Sequence, residues 1–418
     1  MHFSTPVNCG MIRGMIKALE FVIHNRLDGA LARTGTITTP HGTIQTPAFI
    51  PVGTQATLKS LTPEQLSGTG AQSVLVNAYH LYLRPGHGII DQAGGVNAFM
   101  NWDKPTFSDS GGFQVMSLGV GFKKVIDMNG TSDEKPLGNK EKLAWIDNDG
   151  VKFKSHLDGG MHKFTPELSM QIQHGIGADI TFAFDELTTL HHDYYYQIES
   201  LDQRTHPWAV RSLAEHQRLN AERTHRPPQA LFGVIQGADY EDLRRKSAKF
   251  LGGMDFDGYG LGGALRKENI GDIVRWMNEE LPEHKPRHML GISEPDDIFA
   301  CIENGADTFD CVSPARVGRN GALYTSHGRV NITRAQYKDD FTPFDATCDC
   351  YACTHYTSAY IHHLFQSGEL LAKTLATIHN ERFIVRLVDG IRASIADGTF
   401  FDFKQEFLTN YYSKNSNH

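Results

Sequence analysis

The chain has 418 residues, of which 40% are hydrophobic and 21% are charged. This composition suits one large globular domain with a smaller appendage, and it excludes a disordered chain, a collagen-like repeat and a small disulfide scaffold. The formal net charge of −8 argues against a protein whose whole surface binds nucleic acid without specificity. No apolar run approaches the roughly 20 residues of a membrane span, and the N-terminus lacks the apolar core of a signal peptide, so we expect a cytoplasmic protein without membrane contact.

Short runs rich in β-branched and aromatic residues recur along the chain, and helix-start signals separate them. Thr62 and Thr165 each stand before a Pro-Glu pair, which places a hydroxyl at the N-cap and a proline in the first turn. Strands that alternate with helices predict an α/β protein with a parallel sheet, and eight such repeats predict a (β/α)8 TIM barrel. The predicted strands cover residues 47–52, 73–77, 105–108, 178–184, 230–235, 257–261, 287–292 and 307–312.

An open, doubly wound sheet is the alternative architecture. Polar and glycine residues favour the barrel, because they stand at or just after the C-terminal ends of different predicted strands, where barrel enzymes build their active sites. An open sheet does not gather so many strand ends around one centre. These residues are Asp109, Asp185, Gln236, Gly262, Gly263 and Asp310.

Several segments lie outside the repeat. Residues 31–46 alternate around a Pro-His-Gly turn, which predicts a hairpin that covers the barrel floor. Residues 122–155 are charged and turn-rich, and they predict an insertion that ends in an Asp-Gly hairpin. After the last strand, helical patterns cover residues 357–371 and 373–396. The predicted division is an N-terminal extension over 1–30, a barrel domain over 31–400 with a zinc-binding subdomain at about 340–385, and a C-terminal tail over 401–418.

A cluster of cysteines predicts a metal site. Cys348, Cys350 and Cys353 supply three thiols within six residues, a spacing that suits one soft cation better than disulfides in a reducing compartment. His379 would complete a Cys3His tetrahedron, the closed coordination of a structural Zn²⁺, and His362 and His363 are rivals for that position. Three reduced, buried cysteines are the alternative. An iron–sulfur cluster fits less well, because no fourth cysteine follows.

Two acidic residues at predicted strand ends suggest glycosidic chemistry. Asp109 lies in a Ser-Asp-Ser-Gly-Gly-Phe stretch, and Asp310 lies at the end of the last strand. One carboxylate of such a pair can attack a sugar carbon while the other moves protons. Taken singly, each aspartate could instead cap a helix or hold a loop. Cys311 is another conceivable nucleophile, but no histidine stands near it in the sequence to activate it.

Several motifs together resemble those of the bacterial tRNA-guanine transglycosylases, also called queuine tRNA-ribosyltransferases. The resemblance covers roughly residues 18–400, and the motifs occur in the order of that family. They are SDSGGFQVMSL, AFDE, FGVIQG, GYGLGG, PDDIFACIENGADTFDCVSPARVGRNGALYT and CDCYACTHYTSAYIHHLF followed by IHN.

The resemblance implies a zinc-bearing barrel that exchanges guanine at the anticodon wobble position of certain tRNAs for a 7-deazaguanine base. By the same resemblance, we expect no ATP or redox cofactor to take part. By this resemblance Asp310 is the nucleophile that attacks the ribose, and Asp109 is the general acid/base for the departing and incoming bases. The implied partners are the tRNA anticodon loop, the free base and a second copy of the chain in a homodimer.

The family also implies a base pocket. Asp185 would accept two donors from the pairing edge of guanine, while Gln236 and the Gly263 backbone N–H would donate to its carbonyl oxygen. Phe113 and Leu290 would sandwich the ring after the nucleotide flips out. The substrate-binding residues expected from this resemblance are Asp109, Ser110, Gly111, Gly112, Phe113, Asp185, Gln236, Gly263, Ala264 and Leu290.

A basic stretch provides the expected RNA contacts. From Cys311 to Lys338 the chain carries no Asp or Glu, and Arg316 and Arg319 match the family segment that contacts the bases beside the wobble guanine. A solvated basic face is the alternative interpretation. The RNA-binding residues expected from the resemblance are Gly291, Ile292, Ser293, Glu294, Pro295, Asp296, Asp297, Ala315, Arg316, Val317, Gly318 and Arg319.

The sequence departs from the familiar bacterial pocket. Leu187 follows the FDE motif where the family has cysteine, Arg266 follows Ala264 closely, and Glu294 stands where a lysine is usual. Arg266 would repel the cation of aminomethyl-deazaguanine unless it points away, so we hypothesise that the enzyme accepts queuine or another altered base. Two other functions stay open at this point: a non-catalytic, zinc-bearing partner subunit, and a metal-dependent hydrolase, for which the strand-end residues are a poor ligand set.

Overall fold

The computed structural model describes residues 17–120 and 144–413. Its first element is a three-stranded antiparallel sheet. The predicted hairpin within 31–46 is confirmed as two of these strands, and the third strand lies in the segment predicted as an N-terminal extension. The strands are β1 (Glu20–Arg26), β2 (Arg33–Thr39) and β3 (Gly42–Thr46).

Eight parallel strands form the central sheet, one at each predicted position. Each strand pairs with its neighbours in chain order. The ends of the sheet are joined by a bridge between Val52 and Leu75 and by a 2.8 Å hydrogen bond from Gly53 N to the Leu75 carbonyl. This closure confirms the barrel and excludes the open sheet. The strands are β4 (Ala48–Pro51), β5 (Val74–Val76), β6 (Thr106–Ser108), β10 (Ile180–Phe182), β11 (Ala230–Ile235), β12 (Gly258–Leu261), β13 (Arg287–Met289) and β14 (Thr308–Cys311).

Apolar side chains fill the barrel interior, and the hairpin β2–β3 covers its floor. Phe107, Phe182 and Phe232 belong to one buried cluster that also contains Ile37 of β2 and Ile44 of β3. Burial of each such side chain stabilises the fold by roughly 1.5–3 kcal/mol. Because the hairpin lies at the N-terminal ends of the strands, the opposite end is left for the loops that carry the site residues.

Helices connect the barrel strands. The two helix starts predicted from the sequence are confirmed: Thr62 Oγ1 accepts from Gln65 N at 3.2 Å, and Thr165 Oγ1 accepts from Leu168 N at 3.2 Å. Among the described residues, no helix combines the length and apolarity needed to cross a membrane. The helices are α1 (Pro63–Gly68), α2 (Ala78–Leu83), α3 (His87–Gln92), α4 (Val96–Met100), α5 (Gly112–Val120), α6 (Pro166–Ile176), α7 (Tyr194–Ser200), α8 (His206–Glu222), α9 (Glu241–Gly252), α10 (Ile270–Asn278), α11 (Pro295–Glu303) and α12 (Ser313–Gly318).

The predicted insertion is described only in its last part, because residues 121–143 lie outside the described range. Its Asp-Gly hairpin is confirmed, with β7 (Ala144–Asp147) paired to β8 (Gly150–Lys154). A further strand, β9 (Met161–Phe164), pairs with β8 beyond the predicted end of the insertion. The chain therefore adds a small antiparallel sheet between β6 and β10.

The C-terminal part contains a hairpin and a group of helices. The predicted pair of helices is confirmed, but the break falls before residue 370 rather than at 372, because Gly368 adopts a left-handed φ of 72°. Within the segment predicted as a C-terminal tail, residues 401–412 are helical, and Phe407 and Tyr411 pack against Phe383 of the preceding helix. The domain boundaries themselves stay predictions. The elements are β15 (Ala322–Thr325), β16 (Gly328–Asn331), α13 (Tyr351–His355), α14 (Ser358–Gln366), α15 (Leu370–Asp397) and α16 (Phe400–Tyr412).

Candidate active site and metal centre

Asp109 lies directly after β6 and is held by the neighbouring loop. Its Oδ1 accepts hydrogen bonds from Ala78 N at 2.8 Å and from Gly111 N at 3.1 Å, and its Oδ2 accepts one from the Asn77 side chain. Gly111 has a φ of 77°, and a Cβ there would lie 3.2 Å from Tyr79 N, so this turn requires glycine. The carboxylate is thus fixed at the open end of the barrel.

The environment of Asp109 suits proton transfer. Burial, with a smaller contribution from the charge of Asp310, raises the pKa of Asp109 to about 7 against the opposing hydrogen bonds from Ala78, Gly111 and Asn77. A general acid/base is most effective when its pKa lies near the working pH. Asp109 is therefore able both to give and to take a proton near neutrality.

Asp310 lies in β14, and its side chain is 13% exposed. Its Oδ1 lies 3.0 Å from His288 Nε2 and accepts a 3.3 Å hydrogen bond from Gly291 N. His288, on β13, is fully buried, and its Nδ1 lies 2.9 Å from Thr308 Oγ1. His288 was not predicted from the sequence. The available signal was its alternation with Leu290, which places both residues on the face of the strand that points into the barrel.

Asp185 and Gln236 form a second polar pair, on the loops after β10 and β11. Gln236 Nε2 donates to Asp185 Oδ2 at 2.6 Å, and burial raises the pKa of Asp185 to about 7. Gln236 Oε1 is buried and has no hydrogen-bond partner in the described part of the chain. A buried amide oxygen without a partner indicates space for a ligand that carries a donor.

Two glycine positions keep this pair accessible. A Cβ at Gly263, where φ is 108°, would lie 2.9 Å from Gln236 Oε1, and a Cβ at Gly112 would lie 3.1 Å from the Asp185 carbonyl oxygen. Gly112 N also donates to Ser110 Oγ at 3.3 Å, which links this loop to Asp109. The structure therefore brings the loops of Asp109, Asp185, Gln236 and Gly263 to one place.

Arg244 supports the same loops and was not predicted. It is fully buried on α9, and its guanidinium donates to the carbonyl oxygens of Ala238 at 2.7 Å and Gly262 at 2.6 Å. These carbonyl groups belong to the loops after β11 and β12. Arg244 thus holds in position the backbone on which Gln236 and Gly263 depend.

The predicted stacking residues lie at the same end of the barrel. Phe113 is in the first turn of α5, and Leu290 follows β13 and packs against the interior cluster. Ala264 is in the loop after β12, close to Arg266. The sandwich of a base between Phe113 and Leu290 stays a prediction.

Arg266 is engaged by a neighbouring loop. Its Nε lies 2.7 Å from Asp239 Oδ2, and its backbone N donates to Asp239 Oδ1 at 3.4 Å. The pair lines a cavity of about 180 Å³ together with His192 and Tyr240. The charge of Arg266 is therefore balanced by Asp239 beside the loop that carries Ala264.

The predicted RNA-binding residues divide into two groups. Arg316 is exposed on α12 and Arg319 is half-buried just after it, so both reach the surface. Asp296 instead accepts from Lys267 at 2.8 Å and from the Tyr412 hydroxyl at 2.8 Å. Glu294 pairs with Arg329. The other members are buried, partly buried or glycine, and their assignment to RNA stays a prediction.

The cysteine cluster is confirmed as a buried group that could hold a metal. The Nδ1 atom of His379 lies 3.4 Å from the Sγ of Cys348 and 3.5 Å from those of Cys350 and Cys353. Bond lengths of about 2.3 Å to sulfur and 2.0–2.1 Å to nitrogen, at a tetrahedral angle, separate these atoms by about 3.5 Å, which fits Zn²⁺. The four residues are brought together by three elements: Cys348 and Cys350 lie in the loop before α13, Cys353 lies in α13, and His379 lies in α15.

The supporting contacts select His379 over its rivals. Its Nε2 donates to the Tyr324 carbonyl oxygen, which directs Nδ1 towards the thiols. His362 Nδ1 instead lies 2.8 Å from the Ile332 carbonyl oxygen, and His363 is exposed. Arg382 binds both carboxylate oxygens of Asp349, at 2.9 and 2.6 Å, and ties the cysteine loop to α15.

The chain is an α/β-barrel protein. Its polar residues gather at the end of the barrel where barrel enzymes have their active sites, and a Cys3His group lies near the C-terminus. The particular family follows from comparison with known proteins. A family model described as Queuine tRNA-ribosyltransferase matches residues 28–413, and the chain belongs to this family. It is therefore a transferase of tRNA modification, a tRNA-guanine transglycosylase, and the alternatives of a non-catalytic subunit and a hydrolase fall away.

Curated relatives of the same family match this chain over nearly their whole length. The chain is 46% identical over 383 residues to "Queuine tRNA-ribosyltransferase" of Thermoanaerobacter pseudethanolicus, which covers 91% of this chain and 94% of that protein. It is 44% identical over 398 residues to the protein of the same name from Caldanaerobacter subterraneus subsp. tengcongensis, covering 94% and 98%. The protein of the same name from Halothermothrix orenii is also 44% identical, and the match covers 96% of this chain and 100% of that protein.

Proposed function

We propose that the chain exchanges guanine at the anticodon wobble position of tRNA for a 7-deazaguanine base by double displacement on Asp310. The observation that carries this proposal is the difference between the two aspartates at the open end of the barrel. Asp310 is held through Oδ1, and within the described residues no donor is recorded for its Oδ2, whereas both oxygens of Asp109 accept hydrogen bonds and its pKa is raised to about 7. Asp310 thus presents an oxygen that can attack the ribose, and Asp109 can exchange a proton near neutrality.

In the first half-reaction, an Asp310 oxygen attacks the ribose C1′ atom of the wobble nucleotide. A C1′–O bond forms, the C1′–N bond to guanine breaks, and the departing base takes the electron pair and a proton from Asp109. In the second, the incoming base gives a proton to Asp109 and attacks C1′, and Asp310 leaves as a carboxylate. Two inversions restore the original configuration.

The Asp185–Gln236 pair would select the base. Guanine and 7-deazaguanines present two adjacent N–H donors and one carbonyl oxygen, which fit a carboxylate beside an amide and a backbone N–H. Ionised Asp185 accepts the donors, and the second N–H of Gln236 and that of Gly263 face the carbonyl. Glycine at 112 and 263 lets the flat base lie against the backbone.

The tRNA would be contacted by Arg316 and Arg319, which lie on and just after α12 in a stretch free of acidic residues. Each can donate paired hydrogen bonds to a phosphate or a base edge. Zn²⁺ would be held by Cys348, Cys350, Cys353 and His379. A closed site of this kind stabilises the fold and takes no part in the exchange.

The incorporated base is either aminomethyl-deazaguanine or queuine. The hypothesis that favoured queuine depended on repulsion from Arg266, and the ion pair with Asp239 weakens that repulsion. Competition of the two free bases for guanine-labelled tRNA distinguishes them. Exclusive incorporation of the aminomethyl base would end the hypothesis of an altered base.

A covalent adduct is the direct test of the proposed reaction. Mixing the enzyme with tRNA and the free base should give a band on a denaturing gel that contains both protein and RNA. D310A should abolish the band and all exchange, whereas D272N, on the exposed face of α10, should leave both intact. A wild-type enzyme that exchanges bases without a trappable adduct would contradict the mechanism.

Assembly and location are further proposals. We expect a homodimer in the cytoplasm, in keeping with the family resemblance. Light scattering of the purified chain measures the dimer directly, and a monomer that is fully active at nanomolar concentration would overturn it.

A further inference from the structure

His288 occupies a fully buried position on β13, next to the proposed nucleophile. Its Nε2 atom lies 3.0 Å from Asp310 Oδ1, and its Nδ1 lies 2.9 Å from Thr308 Oγ1. In the barrel register His288 pairs with Thr308, so the side chains of His288, Thr308 and Asp310 share the inner face of two adjacent strands. The three residues form one hydrogen-bonded row.

Two phenylalanine rings pack against the His288 ring. Its centroid lies 5.2 Å from that of Phe107 and 5.2 Å from that of Phe182. Within residues 17–120 and 144–413, the only charged group recorded in contact with it is Asp310. Each nitrogen of this buried imidazole therefore has one recorded hydrogen-bond partner: the Asp310 carboxylate for Nε2 and the Thr308 hydroxyl for Nδ1.

The direction of these hydrogen bonds follows from the chemistry of the groups. An ionised carboxylate only accepts, so Nε2 carries the proton and donates to Asp310 Oδ1. The Thr308 hydroxyl, which can donate or accept, is the partner of Nδ1. Oδ1 also accepts from Gly291 N at 3.3 Å. In the described part of the chain no donor is recorded for Oδ2, which is therefore the oxygen left to react.

We propose that His288 is a positioning residue for the nucleophile: through Nε2 it fixes the rotation of the Asp310 carboxylate, presents Oδ2 to the ribose and stabilises the carboxylate when it leaves. This inference rests on the proposed function. In the ester intermediate Oδ2 is bonded to C1′ and Oδ1 becomes the carbonyl oxygen. That oxygen is a weaker acceptor than a carboxylate, so the hydrogen bond strengthens again as the C1′–Oδ2 bond breaks.

This role has a kinetic signature that a purely structural role lacks. Loss of the Nε2 donor should slow breakdown of the ester more than it slows its formation, because the donor stabilises the departing carboxylate most. The enzyme would then accumulate as covalent adduct while overall turnover falls. Loss of one hydrogen bond to a charged group predicts a decrease of roughly 10- to 100-fold in the breakdown rate.

The test uses two substitutions that differ in the donor. H288F keeps a ring among the phenylalanines and removes both nitrogen atoms, whereas H288Q retains an N–H that reaches Asp310. Adduct is formed on radiolabelled tRNA, isolated from free guanine and then mixed with guanine, and its disappearance is followed on denaturing gels. We expect slower breakdown and more adduct at steady state for H288F, with recovery to within a few-fold of wild type for H288Q.

T308V is the second variant, because it leaves His288 in place and removes only the hydroxyl that holds Nδ1. It should slow breakdown in the same direction by a smaller factor, and T308S should restore the rate. Wild-type breakdown rates in both H288F and T308V would overturn the inference, as would an H288Q variant as slow as H288F at equal thermal stability. Absence of adduct in the wild-type enzyme would instead contradict the nucleophilic role of Asp310.

Discussion

Gln236 donates a 2.6 Å hydrogen bond to Asp185 across the loops that follow two adjacent barrel strands. The contact orients both side chains before any base arrives, and it leaves one N–H and one buried oxygen of the amide available. A preorganised pair of this kind lowers the entropic cost of recognising a flat, hydrogen-bonding ligand.

Removal of the Asp185 charge should therefore weaken recognition of guanine. D185N replaces one acceptor oxygen with a donor that faces the N–H groups of the base, so we expect kcat/KM for guanine exchange to fall by about 100- to 1000-fold. Exchange of radiolabelled guanine into tRNA measures the effect. D272N serves as the surface control, and an unchanged kcat/KM for guanine exchange in D185N would contradict the proposed role.

Asp109 should also make folding stability dependent on pH. Its pKa is about 7 in the folded chain, against an ordinary value of 3.8, so the folded state binds more protons than the unfolded state between about pH 4 and 7. The contribution of Asp109 to the free energy of unfolding therefore falls as the pH rises through this window, and the penalty is complete above pH 7.

D109N removes this titration. Relative to wild type, the variant should gain roughly 1–4 kcal/mol of stability between pH 5 and pH 8. Denaturant unfolding at the two pH values gives the difference directly. Asp185 titrates in the same direction and remains in both proteins, so the comparison isolates Asp109. An equal stability difference at both pH values would show that Asp109 is ionised throughout.

The barrel was predictable because buried parallel strands read as short, continuous apolar runs, and because each strand end carried a polar or glycine residue. β1 was missed because none of its side chains is fully buried, and Val22 in its short apolar run is exposed. The helix α16 was missed because its aromatic residues find their partners on α11 and α15, far away in the sequence. A local pattern does not contain such contacts.

The residues of the candidate site also fall into two groups, those predicted from the sequence and those that only the folded structure reveals. Asp109, Asp310 and the cysteine cluster follow from motifs, whereas His288 and Arg244 act through groups on other strands and loops. The pairing of Arg266 with Asp239 joins loops 27 residues apart, and only the folded structure shows it. Contacts between residues of different strands and loops depend on how closely these elements approach in the fold, and the local sequence does not contain that information.

The metal site gives a prediction with a matched control. H379A removes one of four ligands, so zinc content should fall from one per chain to near zero and the free energy of unfolding should decrease by about 3 kcal/mol or more. H363A, an exposed histidine on α14, should change neither quantity. Elemental analysis and denaturant unfolding provide the measurements. Full zinc occupancy in H379A, with loss of zinc in H362A, would assign the fourth ligand to His362 instead.

The Arg266–Asp239 pair gives the last prediction, which concerns the charge of the incoming base. D239N leaves the Arg266 cation unbalanced beside the loop of Ala264, so we expect KM for aminomethyl-deazaguanine to rise about three- to tenfold while KM for neutral guanine stays within twofold. The double variant D239N/R266A should return KM for the cationic base to the wild-type range, because both charges are then gone. Steady-state exchange with each base separately measures these values, and added salt should reduce the difference. If D239N raises KM for both bases equally, the pair shapes the loop and does not tune its charge.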